Sequence, residues 1–593
     1  RSGRLVRVRS AHLDVAGPDG WLCDLARAGY GFLDHADRIR QPLVRRNGRL
    51  EPTSWDEALG IVSQAMQRVV EENGADAVAA VGSPRLGNEA AYLLAKLMRV
   101  AIGTNNVACS PVQYLAPAQA LPADVAGADC ILLYLADPLE EAPVVELWIK
   151  QALRRGARLL VVHHRAIGLA GRAALTELVR PGTEALFLSG ILAAVGETDA
   201  SRLTDEWRGL LRNLGSTQVA SVTGCTPAAM GQVAEALVQA QHAVVVYGCG
   251  VGTRAELALL QALAAGTGAR LMGWSSGANG RGTSDMGMQP DRLPGQGELD
   301  NAAVRARCKG AWGVSAPRGV GLGPAALWPA VSAGRVRLLY LVGSDALRDA
   351  LEARAAAEAL EKAELVVVQD AFFTSTAATA DVVLPAAAPG EEEGTLTTLA
   401  GQVEMLEAAV APLGDARPHW AIIAELARLL GAEGGWEYAS PAEVLAEVGR
   451  VVPAYGSLAT EGCRRGGDAR YVYEVGRPEA PAVRPRRGQG DLVMVMGPVL
   501  FDRDALAGRA AVAERAGEPC ACLNPQDAAA LGVQEGDTIL VGNECGELTL
   551  RARVSAGYQE GTIFVPEQLG AENIHLLCPQ AEALAMVRVK PIR

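Results

Sequence analysis

The sequence lacks three features that would assign it to common classes of protein. No uninterrupted apolar stretch is both long enough and free enough of charge to span a bilayer, so we expect any membrane role to depend on partner proteins. The basic residues are scattered and the net charge is −12, which argues against a nucleic-acid-binding surface, since such surfaces cluster Lys and Arg. The eleven cysteines lack the dense spacing of secreted disulfide scaffolds, which favours a reducing compartment.

The chain does contain repeated α/β alternation over a large length. Because 593 residues exceed what one core can organise, we predict several domains. Short apolar runs without polar alternation are typical of strands that are covered on both faces of a parallel sheet. They predict strands at residues 130–135, 158–162, 243–247, 337–342, 365–368 and 381–384, with a helix at 372–380. After residue 491 the pattern changes to short strands, at 492–496, 537–541, 547–554 and 562–565.

One long stretch carries a family resemblance. The run VVVQDAFFTSTAATADVVLPAAAPGEEEGTLTTLAGQVEMLE, which begins at Val366, resembles the molybdopterin oxidoreductase family, and within it the large iron–sulfur subunits, known as the G subunits, of NADH:quinone oxidoreductase, respiratory complex I. The resemblance extends more weakly over nearly the whole chain.

The resemblance implies an α/β fold with five parts. These are the end of a 4Fe-4S domain at 1–53, an α/β domain from 54–122 and 335–450, an inserted α/β domain at 123–334, a linker region at 451–490, and a C-terminal, dinucleotide-binding-like β-barrel at 491–593.

Cys23 is the one candidate cofactor ligand. The segment WLCDLARAGYGF resembles the end of the family's iron–sulfur domain, where three upstream cysteines and a fourth hold a [4Fe–4S] cluster. Cys23 matches the fourth ligand, and we expect the other three to lie upstream of Arg1. From spacing alone, a buried free cysteine is the favoured interpretation. Relatives that pass electrons from this cluster to molybdopterin have lysine where this chain has Leu25.

The positions that grip molybdopterin in catalytic relatives are altered here. Cys109 is a vestigial candidate for the molybdenum ligand, but its loop is shortened and lacks the neighbouring histidine, so a cysteine without a role is favoured. The two turns that bind the guanosine arms of the cofactor are replaced by Leu135-Ala136-Asp137-Pro138 and His163-His164-Arg165. Leucine in place of glycine, and Asp137 in place of a neutral residue, predict a lost pocket.

Four other patterns receive plain structural interpretations. The glycine-rich Gly248 to Gly252 predicts a tight strand-to-helix turn, because Thr253 replaces the third glycine of a dinucleotide motif. His163 and His164 are interpreted as edge or surface histidines. The acidic run at 391–393 predicts a solvated face, and Cys520 with Cys522 predicts core neighbours on a strand.

The resemblance implies electron transfer from NADH toward quinone through iron–sulfur clusters. It implies no catalytic residue in this portion, a 4Fe-4S cluster, and no molybdopterin guanine dinucleotide. The implied partners are the other peripheral-arm subunits, including the NADH-binding flavoprotein subunit, at the cytoplasmic face of the bacterial inner membrane. Two alternatives stay open, a catalytic molybdopterin enzyme such as a formate dehydrogenase alpha subunit, and a cluster-free assembly scaffold.

Overall fold

A computed structural model describes residues 4–9, 20–111, 119–274, 277–349, 353–456, 491–502, 506–567, 574–578 and 585–592. These residues form two compact units. The first unit contains 4–8, 30–111, 277–349 and 353–456, and the second contains the rest. Within the described ranges, none of the helices combines the length and apolar character needed to cross a bilayer.

The strands are numbered in chain order. They are β1 (Leu43–Arg46), β2 (Arg49–Pro52), β3 (Val78–Gly82), β4 (Val107–Cys109), β5 (Cys130–Tyr134), β6 (Arg158–His163), β7 (Leu175–Leu178), β8 (Ala243–Tyr247), β9 (Arg270–Gly273), β10 (Arg292–Leu293), β11 (Gly297–Glu298), β12 (Leu338–Val342), β13 (Leu365–Asp370), β14 (Val382–Pro385), β15 (Gly394–Thr397), β16 (Val403–Leu406), β17 (Leu492–Gly497), β18 (Cys520–Leu523), β19 (Thr538–Asn543), β20 (Gly546–Val554), β21 (Thr562–Pro566) and β22 (Ala585–Pro591).

The α-helices are numbered in the same way. They are α1 (Asp24–Ala28), α2 (Trp55–Asn73), α3 (Asn88–Lys96), α4 (Pro122–Gly127), α5 (Pro138–Glu141), α6 (Pro143–Arg154), α7 (Glu184–Thr198), α8 (Asp205–Leu211), α9 (Ser216–Thr223), α10 (Pro227–Gln239), α11 (Arg254–Thr267), α12 (Gly280–Asp285), α13 (Ala302–Trp312), α14 (Pro324–Ser332), α15 (Ala346–Asp349), α16 (Ala353–Lys362), α17 (Ser375–Thr379), α18 (His419–Leu429), α19 (Pro441–Val451) and α20 (Pro525–Leu531). A π-helical turn, Leu97–Ile102, continues α3.

The first unit is built on a sheet with the order β2-β1-β14-β13-β12-β3-β4. The five strands from β14 to β4 are parallel, and β1 and β2 add an antiparallel edge. Strands β3 and β12 are buried along their whole length, as expected for apolar strands with helices on both faces. Their carboxyl ends bring Gly82, Val342 and Gln369 to the same edge of the sheet.

The second unit contains a five-stranded parallel sheet and a closed barrel. The sheet has the order β7-β6-β5-β8-β9, and β5 and β8 are completely buried. The barrel has the order β17-β21-β18-β20-β19-β22. Along β20 the buried residues alternate with exposed ones, which places Leu548, Leu550 and Ala552 in the barrel core.

The structure confirms the predicted fold class, an α/β molybdopterin-oxidoreductase-like architecture with a C-terminal β-barrel. The predicted helix at 372–380 is shorter, because the Asp370 side chain accepts the Phe372 N–H and Thr374 caps the helix that follows. The predicted domain boundaries stay predictions. Residues 277–334 cluster with the first unit, and 457–490, most of the predicted linker, lie outside the described residues.

Candidate functional site

Cys23 is the N-cap residue of the short helix α1. Its Sγ accepts a hydrogen bond from the Ala26 N–H at 3.4 Å, and the residue is half-buried. A thiol at a helix N-terminus is favoured in its thiolate form, which is the form that binds iron. Leu25, at the position where electron-passing relatives have lysine, is half-buried, and its Cδ1 lies 3.3 Å from the place where a Cβ on Gly29 would sit.

Cys109 lies at the end of β4, in the first unit. It is buried, and its Sγ is 3.8 Å from the hydroxyl of Thr283 on α12. Within the part of the chain that the structure describes, no three His, Cys, Asp or Glu side chains are grouped so that they could hold a metal ion. The assignments of Cys23 as a cluster ligand and of Cys109 as a vestigial ligand both stay predictions.

The two turns predicted to have lost their grip on a nucleotide are bonded to each other. The Arg165 Nη2 donates to the Asp137 Oδ2 at 2.7 Å, and both side chains are mostly buried. Leu135, between β5 and Asp137, has a φ of 46°, and its carbonyl oxygen lies 2.9 Å from where a Cβ on Gly248 would sit. Gly248 therefore allows the turn after β8 to pack on the turn after β5.

Glu141 is the site residue that sequence reasoning missed. Its Oε1 accepts the backbone N–H of Asp137 at 2.9 Å, and its Oε2 accepts the Cys249 N–H at 2.9 Å and the indole N–H of Trp274 at 2.8 Å. Burial raises the pKa of this carboxyl group. The pair Glu140-Glu141 resembles an ordinary acidic helix end, so only the approach of the turns after β8 and β9 distinguishes it.

His163 and His164 are not the edge or surface residues that were predicted. Strand β6 lies between β5 and β7, so neither residue is on an edge strand. Burial lowers the pKa of His163 well below its usual value, and its Nδ1 accepts the Arg165 N–H at 3.2 Å. The His164 Nε2 lies 3.2 Å from the Glu184 carboxylate. Both rings therefore serve the packing of this turn.

The glycine-rich loop 277–287 of the first unit is anchored by a buried amide. The Asn279 Nδ2 donates to the Leu86 carbonyl at 2.7 Å and to the Asn88 Oδ1 at 3.0 Å, and its Oδ1 accepts the Thr397 N–H at 2.7 Å. A Cβ on Gly282 would lie 2.0 Å from the Asn88 Oδ1, so only glycine fits there. The loop is thus bound to α3 and β15.

The acidic run at 391–393 is not a solvated face, and that prediction was wrong. Glu391 is buried and makes a two-pronged ion pair with Arg38, with Nη1–Oε1 at 2.9 Å and Nη2–Oε2 at 2.5 Å. Burial raises the pKa of Glu392 to about 8, and only Glu393 is exposed. The sequence pattern indicates a surface run because the partner of Glu391, Arg38, is 353 residues away.

The turns of the second unit do not fit an anionic dinucleotide. Backbone N–H groups at the carboxyl ends of parallel strands are the usual donors to phosphate. Here the Glu141 carboxylate takes two of them, and Asp137 neutralises the nearby Arg165. A phosphate in this place would meet negative charge and donors that are already bonded.

Comparison with known proteins gives two family matches. Residues 38–429 match the family described as Molybdopterin oxidoreductase, and residues 505–588 match the Molydopterin dinucleotide binding domain. The second G subunit of the NADH-quinone oxidoreductases of Rhizobium meliloti is 32% identical over 628 residues, which cover 100% of this chain and 70% of that protein.

Two further relatives have other printed activities. NADPH-Fe(3+) oxidoreductase subunit alpha of Geobacter sulfurreducens is 31% identical and covers 100% of this chain and 72% of its own. Formate dehydrogenase H of Escherichia coli is 29% identical, with 100% and 93% covered. Acetylene hydratase from Pelobacter acetylenicus superposes with a TM-score of 0.72 at 18% identity, over 96% of this chain and 94% of that one, which shows a shared fold.

Proposed function

We propose that this chain, which belongs to the molybdopterin oxidoreductase family, is part of the large iron–sulfur subunit of an NADH:quinone oxidoreductase of the complex I type. Its role is to help carry electrons from NADH toward quinone, while the molybdopterin-type framework serves as structure without an active site of its own. The observation that carries this proposal is the Asp137–Arg165 ion pair beside the buried Glu141.

The electrostatics of the second unit support a structural role for the framework. A molybdopterin dinucleotide is anionic, so a working site needs free N–H donors or free cations at the ends of the strands. Arg165 is engaged by Asp137, and its guanidinium also lies 4.8 Å from the centre of the Phe564 ring. Binding a nucleotide phosphate would require breaking this pair and displacing a carboxylate from two backbone N–H groups.

Cys23 is the residue we assign to a [4Fe–4S] cluster, as one of its four thiolate ligands. The cluster supplies one-electron transfer when it is bound. The contribution of this chain is a thiolate at a helix N-terminus, where the Ala26 N–H donates to the sulfur and tunes the ligand. Leu25 provides no polar group between such a cluster and the framework, which supports an electron path that does not enter the framework.

The proposed setting follows from the same relatives. We propose that the chain works in the peripheral arm of a membrane complex, at the cytoplasmic face of the bacterial inner membrane, next to the NADH-binding flavoprotein subunit. The printed name of the Rhizobium meliloti relative, which describes it as part of an NADH-quinone oxidoreductase, supports this proposal.

Metal analysis of the purified full-length protein that contains this chain tests the proposal. We expect iron and acid-labile sulfide, and no stoichiometric molybdenum. Cys23→Ala should lower the iron content by about four atoms per chain, which is the content of one cubane cluster. Cys249→Ala, which removes an exposed thiol on another turn of the same unit, is the matched control and should leave the iron unchanged.

Each alternative predicts a different result. One molybdenum per chain, released together with a pterin nucleotide, would support a catalytic enzyme related to formate dehydrogenases and reject the proposed structural framework. Equal iron in the wild type and in Cys23→Ala would remove Cys23 as a ligand. Iron-free full-length protein, isolated without oxygen, would favour a cluster-free assembly scaffold.

A further inference from the structure

Two thiols lie side by side on the barrel of the second unit. Cys520 and Cys522 are two positions apart on β18, so both side chains point to the same face, and their sulfur atoms are 4.0 Å apart. Cys522 is buried in a small cluster with Val495 and Phe564, while Cys520 is only partly covered. The pair is therefore reachable from solvent through Cys520.

The surroundings of the pair favour negative charge on sulfur. The hydrogen bond from the Cys522 thiol lowers the pKa of Cys520 to about 6, and the positive charge of Arg553 on β20 acts in the same direction. The Cys522 thiol itself has a raised pKa, because it shares its proton with Cys520 and is buried. At neutral pH the pair thus holds one thiolate and one proton that a cation can displace.

The geometry points to a chelating dithiolate. We propose that Cys520 and Cys522 form a binding site for a soft monovalent cation of the Cu(I) type, bridged between the two sulfur atoms. Metal–sulfur bonds of about 2.3 Å that meet at angles between tetrahedral and linear span about 3.8 to 4.6 Å, and the observed separation of 4.0 Å lies in that range. Thiolates are the ligands that Cu(I) prefers, and two are enough to complete its coordination.

A disulfide is a poorer use of the same pair. Cα atoms two residues apart on an extended strand are separated by about 6.6 Å, whereas most disulfides have Cα separations of about 5.5 to 6 Å. Strand β18 is held in register on both sides, by Cys522 opposite Arg553 on β20 and opposite Phe564 on β21. Closing an S–S bond would therefore distort a strand that is paired along both edges, while a bridging cation leaves the backbone in place.

Anaerobic titration with Cu(I), buffered by a chromophoric chelator, tests the proposal on the full-length protein. We expect the wild type to bind one more Cu(I) per chain at low free copper than either Cys520→Ser or Cys522→Ser. The control Cys249→Ser should bind as much as the wild type, because it removes one exposed thiol outside the barrel. Copper X-ray absorption should show the loss of a site with two sulfur neighbours in both barrel variants.

Two results would overturn the proposal. One is equal copper binding by the wild type and Cys520→Ser, a variant whose change is partly exposed and which carries the test if Cys522→Ser does not fold. The other is loss of two thiols on exposure to glutathione disulfide without any copper difference, which would assign the pair to thiol–disulfide exchange. Iron content, measured in parallel, separates a failure here from a failure of the proposed function.

Discussion

The two units end their parallel sheets in contrasting ways. In the first unit, buried polar groups are satisfied by partners from remote parts of the chain, such as Arg38 with Glu391. In the second unit, the turns close on their neighbours, with Arg165 on Asp137 and Glu141 on the Asp137 N–H, 28 and 4 residues apart in sequence. The comparison indicates that the first unit depends on buried charge being paired across the chain, whereas the second has filled its strand ends with its own side chains.

Removal of one partner of the Arg38–Glu391 pair should have the largest effect on stability. Arg38→Ala leaves a buried carboxylate without its cation, so we expect the free energy of unfolding to fall by about 3 to 5 kcal/mol. Urea denaturation measures the change. The control is the exposed Arg4–Asp34 pair, where Asp34→Ala should change stability by less than about 1 kcal/mol.

A double-mutant cycle sharpens this prediction. Because the penalty comes from an unpaired buried charge, Arg38→Met combined with Glu391→Leu should cost clearly less than the sum of the two single changes, by about 2 kcal/mol or more. Additive single and double variants would mean that the two side chains do not stabilise each other, and the contrast between the units would lose its main support.

The buried Glu89 should make the first unit less stable as the pH rises. Burial raises its pKa from 4.5 to about 7, although the Thr395 N–H and hydroxyl both donate to it. The folded state therefore holds a proton that the unfolded state releases between pH 4.5 and about 7. The stabilisation is complete below pH 4.5 and is lost as the pH rises to about 7, by roughly 3 kcal/mol in all.

Glu89→Gln tests this pH dependence, because it removes the titration while an amide can still accept from Thr395. We expect the difference in unfolding free energy between the variant and the wild type to increase in favour of the variant from pH 5 to pH 7. A constant difference over this range would show that Glu89 is ionised in the folded protein. His419 acts in the opposite direction, since burial lowers its pKa to about 4 and its contribution is lost on acidification from about pH 6.5.

Asp137→Ala should have a moderate effect in the second unit. It leaves the mostly buried Arg165 without its carboxylate, for which we expect a loss of about 2 to 3 kcal/mol in unfolding free energy. Asp137→Asn, which retains an acceptor oxygen, should lose less. If Asp137→Ala instead made the protein bind a guanosine nucleotide, measured by equilibrium dialysis, the ion pair would be a reversible gate and the closed pocket proposed above would be wrong.

Thr253→Ala should have the smallest effect. Thr253 replaces the third glycine of a dinucleotide motif, and its hydroxyl caps α11 by accepting the Glu256 N–H at 3.1 Å. We expect a loss of about 1 kcal/mol, typical of a lost N-cap, and no change in nicotinamide nucleotide binding. An effect on nucleotide binding without an effect on stability would restore the dinucleotide interpretation of Gly248 to Gly252.

The elements that sequence predicted well are those in which a local pattern is enough. The apolar runs at β5, β8 and β13 are strands because continuous β-branched and aliphatic residues suit a sheet covered on both faces. The altered turn at Asp137 was also predictable, since the change from a neutral residue to a carboxylate is visible without a structure. The compensating ion pair was not predictable, because nothing in the sequence joins Asp137 to Arg165.

The errors have a common cause. Glu391 and Glu392 were interpreted as solvated and His163 and His164 as surface residues because polarity is the only local signal that they carry. Their burial depends on which strands become neighbours and on partners such as Arg38, and Glu141 was missed for the same reason. A buried polar group is stable only when a partner satisfies it, and that partner is chosen by the fold.

By itself, the sequence determined the family, the α/β class, the C-terminal barrel and the loss of the residues that hold molybdopterin in relatives. Only the tertiary structure decided that the altered turns are closed by an ion pair and a buried carboxylate, and that Cys520 and Cys522 hold their sulfur atoms at 4.0 Å. The physical reason is that hydrophobic periodicity is a property of short segments. The pairing of buried charges and thiols is a property of surfaces that meet only when the chain has folded.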